Sequence, residues 1–207
     1  MKILFCKVSA MKYYKGKILG KDEPYNGGSY VLEHGEGHEQ YNFDPVTLED
    51  GEDYCLGFVE TKATRANKIN ELHIEKIDGC EKLKGVSEVN DVLVVWCATT
   101  DLNETSVVGW YNHATVYRNY QYADFDSGYT QAFNVLGKKE HCVLLPTGTR
   151  HLHIWDAPVA KKRTYGFGQS LVWYAREENA QAYIHRLALQ IEQYTGENCV
   201  DKQPPSP

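Results

Sequence analysis

The chain has 207 residues, of which 42% are hydrophobic and 24% charged, and a formal net charge of −6. This is the composition expected of a soluble globular protein, long enough for one well-filled core. No apolar run approaches the roughly 20 residues of a membrane-spanning helix. The opening MKILFCKVSA is not a secretory signal, because Lys7 ends the run Ile3-Leu4-Phe5-Cys6.

That run predicts a first strand over Ile3–Val8, closed by the turn after Ser9. Residues 21–53 are rich in Gly, His, Asn and acids and too irregular for a helix, with a short strand expected at Tyr41-Asn42-Phe43. Strands are expected next at Leu56–Glu60 and Leu72–Ile77. The two clearest are Asp91–Thr99 and Ser106–Arg118, where β-branched and aromatic residues dominate. Cys142–Leu145 reads as a short apolar strand stopped by Pro146. Gly166-Phe167-Gly168-Gln169-Ser170 reads as a glycine-flanked loop, and Leu171–Tyr174 as a last strand or the lead into a helix. The long helix is predicted at Glu177–Tyr194, with Ala180, Ile184, Leu187, Ile191 and Tyr194 on one face and Gly196 past its end. Six to eight strands with one or two helices give an α+β fold, a small twisted barrel or strongly curved sheet with flanking helices and a C-terminal amphipathic helix. A single domain is expected over 1–198, with a long acidic insertion at about 18–60 and a linker or tail at 199–207.

Charge is unevenly spread. Residues 1–17 carry +5, residues 18–60 carry −10, and residues 112–176 carry +4. A local basic face on an acidic chain is compatible with phosphate contact, and Lys7, Lys12, Lys15 and Arg118 are its candidate donors. The six cysteines form no CxxC pair, and Cys6, Cys97 and Cys142 lie inside apolar runs. A reducing cytoplasm without a disulfide framework is the expectation.

The stretch 92–118, VLVVWCATTDLNETSVVGWYNHATVYR, carries the strongest functional signal. Two strands each bring a tryptophan, Trp96 and Trp110, with Tyr111 beside Gly109 and polar Asn112 interleaved. Rings on rigid strands suit the stacking of a flat heterocycle. Ser9 and Asn112 are candidate readers of its edge. Tyr13, Phe167, Gln169 and Trp173 complete the candidate pocket.

Other chemistry has less support. His34 and His38 share the i, i+4 spacing of a zinc helix, but two glycines between them oppose helix formation. His151 and His153 would share a strand face near Asp156, yet Arg150 and Lys161-Lys162-Arg163 would repel a cation. These pairs define the alternative of a metal-dependent hydrolase or nuclease. Cys55, Cys80 and Cys199 lack a neighbouring histidine as activating base. No GxSxG elbow, Walker loop or Rossmann fingerprint is present, so binding is expected rather than catalysis, with no metal and no cofactor. The acidic, tyrosine-rich surface supports a second alternative, a protein-interaction module.

Phe5-Cys6-Lys7-Val8-Ser9 followed by Tyr13-Tyr14, together with Val92–Trp96 and Val107–Tyr111, resembles the PUA-like superfamily, in particular EVE and YTH-type domains. The resemblance implies a pocket that takes a flipped, often modified, nucleobase between aromatic walls. It further implies a nucleic-acid partner, DNA ahead of RNA, a role as specificity module in restriction or anti-phage defence, and a nuclease or NTPase effector on another domain or chain.

Overall fold

A computed structural model describes residues 1–25, 37–61, 71–100 and 104–204. One eight-stranded sheet organises them. Its strands are β1 (Ile3–Val8), β2 (Pro45–Thr47), β3 (Asp53–Gly57), β4 (Glu88–Thr99), β5 (Thr105–Asp124), β6 (Thr130–Lys138), β7 (Cys142–Leu144) and β8 (Val172–Trp173). They lie in the order β2-β3-β6-β5-β4-β1-β8, with β7 also on β5. Only β1 and β4 run parallel; every other pair is antiparallel. The fold is mixed α and β, dominated by strands, and the sheet does not close on itself.

The 20-residue β5 is its spine. Its first half pairs with β4 and β7 and its second half with β6, across register shifts between Val116 and Gln121 and at three points on β4. Such bulges bend a strand, which lets one element serve two curved halves. At one of them Gly109 faces Trp96, and a Cβ there would lie 2.3 Å from the Val143 carbonyl and 2.7 Å from the Phe43 ring. Close approach therefore accounts for the glycine in the Val-Gly-Trp step.

Alternation divides the core in two. Leu4, Cys6 and Val8 point to one face with Val94, Trp96, Tyr111 and Phe43. Ile3 and Phe5 point to the other with Val95, Cys97, Trp110, Trp155 and Trp173. Tyr183, Ile184, Leu187 and Ile191 of the C-terminal helix cover this second face. A single turn, α1 (Thr147–Arg150), precedes that helix, α2 (Gln181–Glu192), whose N-terminal side is extended by a 3₁₀ turn at Glu178–Ala180.

Several expectations are revised. Tyr41-Asn42-Phe43 is not a strand; a 3₁₀ turn spans His38–Tyr41. Residues 72–77 contain a 3₁₀ turn at Ile74–Lys76 instead of a strand. The 18–60 region is not merely an insertion, because β2 and β3 lie in it and extend the sheet from β6. The chain also stays in the fold past 198: Cys199 and Val200 are buried, and the Asn198 side chain accepts from Leu144 N and donates to Cys142 O.

Candidate functional site

The parallel pair β1–β4 ends where Ser9 and Thr100 leave the sheet. Here the loop after β1 is tied down from three directions. The buried Asp22 carboxylate accepts from Lys12 N (2.6 Å) and Tyr13 N (2.8 Å). The buried Arg150 guanidinium donates to Leu145 O (2.8 Å), Met11 O (2.6 Å) and Lys12 O (2.9 Å). The Ser9 hydroxyl donates to Glu39, whose carboxylate also accepts from Ser9 N. Tyr14, at φ +54° and fully buried, donates to Ser9 O (2.8 Å).

Burial sets the electrostatics of this loop. It pushes Glu39 up to about 7, helped by repulsion from Glu60 and opposed by the Ser9 N–H. It raises the Tyr14 phenol, against the pull of Arg150. It lowers Arg150, against Tyr14, Cys199 and Asp22. One guanidinium and two carboxyls thus surround one phenol, with backbone carbonyls as the direct partners of the cation.

Over this network lies a cleft of about 260 Å³. Its walls combine polar Lys12, Asp22, Thr100, Arg150 and His151 with Tyr25 and apolar Ala10, Met11 and Val108. The stretch 157–171 is also tied to the sheet near this end. Ala157 N bonds Thr105 O at the start of β5, and Lys7 N bonds Leu171 O beside the end of β1. The intervening loop, closed by the Val159–Phe167 bridge, carries exposed Lys161, Lys162 and Arg163, with Arg163 against the Tyr165 hydroxyl and Thr164 bonded to Asn179 just before α2.

The residues expected to form one aromatic pocket are not brought together. Trp96 and Tyr111 belong to one core face, Trp110 and Trp173 to the other, because Trp96 and Trp110 fall on opposite sides of the pleat. Both tryptophans are buried against described residues. A Cβ on Gly57 would sit 2.5 Å from the Trp96 ring, and Trp110 is stacked on Trp155 at 5.5 Å and 19° with Tyr194 edge-on. Trp173 packs 4.6 Å from Phe5 and donates to Glu177, with Phe167 buried against it. Asn112 is half-buried on β5, and Gln169 is exposed in the loop before β8.

Of the candidate phosphate donors, Lys12 and Lys15 lie on the loop after β1, while Lys7 is half-buried within β1. Arg118 is corrected to a structural role. It is buried, donates to Val86 O (2.8 Å) and Leu83 O (3.1 Å), and pairs with Glu75 at 2.9 Å. Ser9 is at the site, but its hydroxyl is engaged by Glu39; Tyr13 is half-exposed there beneath Lys12.

The alternative metal pairs fare differently from one another. His34 lies outside the described residues. His38 Nδ1 accepts from Ala132 N and contacts the Tyr129 hydroxyl. His151 lines the cleft, whereas His153 is exposed beside Asp156. Among the described residues no group of three or more His, Cys, Asp or Glu could hold a metal ion. Cys55, Cys80 and Cys199 are all buried.

Sequence reading passed over Asp22, Glu39 and Arg150, which shape the loop. Their residue types are common on surfaces, and only the contact partners reveal them as buried. Comparison with known protein families, with curated proteins and with solved structures finds no match.

Proposed function

We propose that this protein is a nucleic-acid-binding module of PUA-like architecture that engages phosphates with the loops at the carboxyl end of β1 and admits a nucleobase, modified in DNA, to the cleft between them. The observation that carries the reading is a cleft at the carboxyl end of β1 whose lining includes Lys12, Lys21, Tyr25, Thr100 and His151, beside the basic N-terminal segment. Phosphate contacts position such a module, and an edge-reading array supplies the specificity. On this reading Thr100 and His151 meet the base edge, and Tyr25 supplies a ring in place of the buried tryptophans. The catalytic step of a restriction or defence system would belong to a partner domain or chain.

Fluorescence-polarisation binding to short duplexes tests this. The panel carries unmodified cytosine, 5-methylcytosine, 5-hydroxymethylcytosine or N6-methyladenine. Tighter binding to one modified duplex, weakening with salt, is the expected result. Absence of binding to every duplex and single strand at low salt would refute it.

A further inference from the structure

A second surface shares no lining residue with the cleft. Six side-chain rings form a continuous half-buried row: Tyr120 stacks on Phe58 (5.1 Å), Phe58 meets His38 (5.2 Å), His38 meets Tyr129 (6.2 Å), and Tyr129 meets both Tyr41 (5.4 Å) and Phe125 (6.2 Å). Exposed Tyr122 stands on the same strand as Tyr120. The row is built, not incidental. Asn42 exchanges hydrogen bonds with Phe58 N and O, Asn134 does the same with Val59, and the Tyr120 hydroxyl accepts from Thr61 N. These fix the segment that carries Phe58 although it has left β3.

Charge identifies what the row would take. The two segments that carry it, residues 37–61 and 119–131, hold nine acidic residues and no lysine or arginine; Glu39 among them is buried on Ser9, and Glu52 and Asp53 pair with Lys138 and Lys139. Glu60 and Asp126 are exposed and form no ion pair with a described residue. A phosphate polyanion is repelled by such a surface. Cations are attracted twice, by the carboxylates and by the ring faces, which hold ammonium or guanidinium groups within about 6 Å of a centroid.

We propose that this row is a docking surface for a lysine- or arginine-rich segment of a partner protein. The basic side chains lie over Phe125 and Phe58, and Glu60 and Asp126 neutralise them from the flanks. The inference does not depend on nucleic-acid binding at the cleft.

The test is polarisation binding of a fluorescein-labelled Lys-Gly repeat peptide to the full chain. The variants are Phe125→Ala and Asp126→Asn, with Glu178→Gln and Glu192→Gln, exposed carboxylates on and before α2, as charge-matched controls. Binding is expected for the parent chain, with each of the first two changes weakening it roughly three- to tenfold and the controls leaving it unchanged. Should circular dichroism show that Phe125→Ala is unfolded, Asp126→Asn in the exposed turn decides alone. No peptide binding, or equal weakening by the controls, would overturn the proposal. So would single-stranded DNA binding that Phe125→Ala abolishes, since the rings would then serve bases.

Discussion

The Ser9 hydroxyl and the Glu39 carboxylate form a buried hydrogen bond that ties the end of β1 to the 3₁₀ turn at His38–Tyr41. Through it the cleft is coupled to the segment that leads into the aromatic row. Burial raises this carboxyl from its usual 4.5 to about 7. The folded state therefore holds a proton that the unfolded chain releases between those values, so stability falls as pH rises through this window. Glu39→Gln removes the ionisation while keeping an acceptor for Ser9. The variant should gain stability relative to the parent between pH 4.5 and 7, by on the order of 3 kcal/mol at the upper end. Urea denaturation at pH 5 and pH 8 measures it; an equal difference at both would contradict the assignment.

Arg150 is the second tie. Arg150→Met would leave three buried carbonyls without their donor and should cost about 3 kcal/mol. Arg150→Lys should recover little, because an ammonium lacks the planar fork that reaches three acceptors. Equilibrium unfolding of both variants distinguishes this from a residue engaged only by ligand, whose replacement would leave stability untouched.

Gly109→Ala places a methyl against the Val143 carbonyl and the Phe43 ring. A loss of about 1–3 kcal/mol is expected from overpacking. Gly148 has nothing within 4 Å of an added Cβ, so Gly148→Ala should leave the unfolding midpoint almost unchanged. Differential scanning calorimetry of the pair checks the contrast.

The strand plan was legible where the pattern was strong. The apolar runs before Trp96 and around Trp110 predict β4 and β5, and the periodic face of Ala180, Ile184, Leu187 and Ile191 predicts the C-terminal helix. β6 was not legible. Its inward positions include Gln131 and Asn134, whose amides bond Leu56 O and the Val59 backbone, so its pattern looks polar although those side chains are buried. The site was legible only in part. Ser9, Tyr13, Lys12 and Lys15 lie at it, but the tryptophans do not, because alternation on twisted strands sends neighbours to opposite faces. Glu39 and Arg150 gain their meaning from long-range contacts that no local motif encodes.

All six cysteines are buried, and burial raises the Cys6, Cys97 and Cys142 thiols well above their usual value. The native protein should react with Ellman's reagent only at the rate of unfolding, and fully in denaturant. A thiol that titrates within the mixing time would contradict the packing described.

The central claim is that the carboxyl end of β1 is the nucleic-acid face. Its most direct test compares two charge-matched double variants in duplex binding at low salt. Lys12→Ala with Lys21→Ala removes the two lysines that line the cleft; Lys82→Ala with Lys84→Ala removes exposed cations from the segment before β4. The account predicts that the first pair weakens binding about tenfold or more and flattens its salt dependence, while the second leaves both near the parent's values. Equal effects of the two pairs would contradict it, and so would a loss confined to the second.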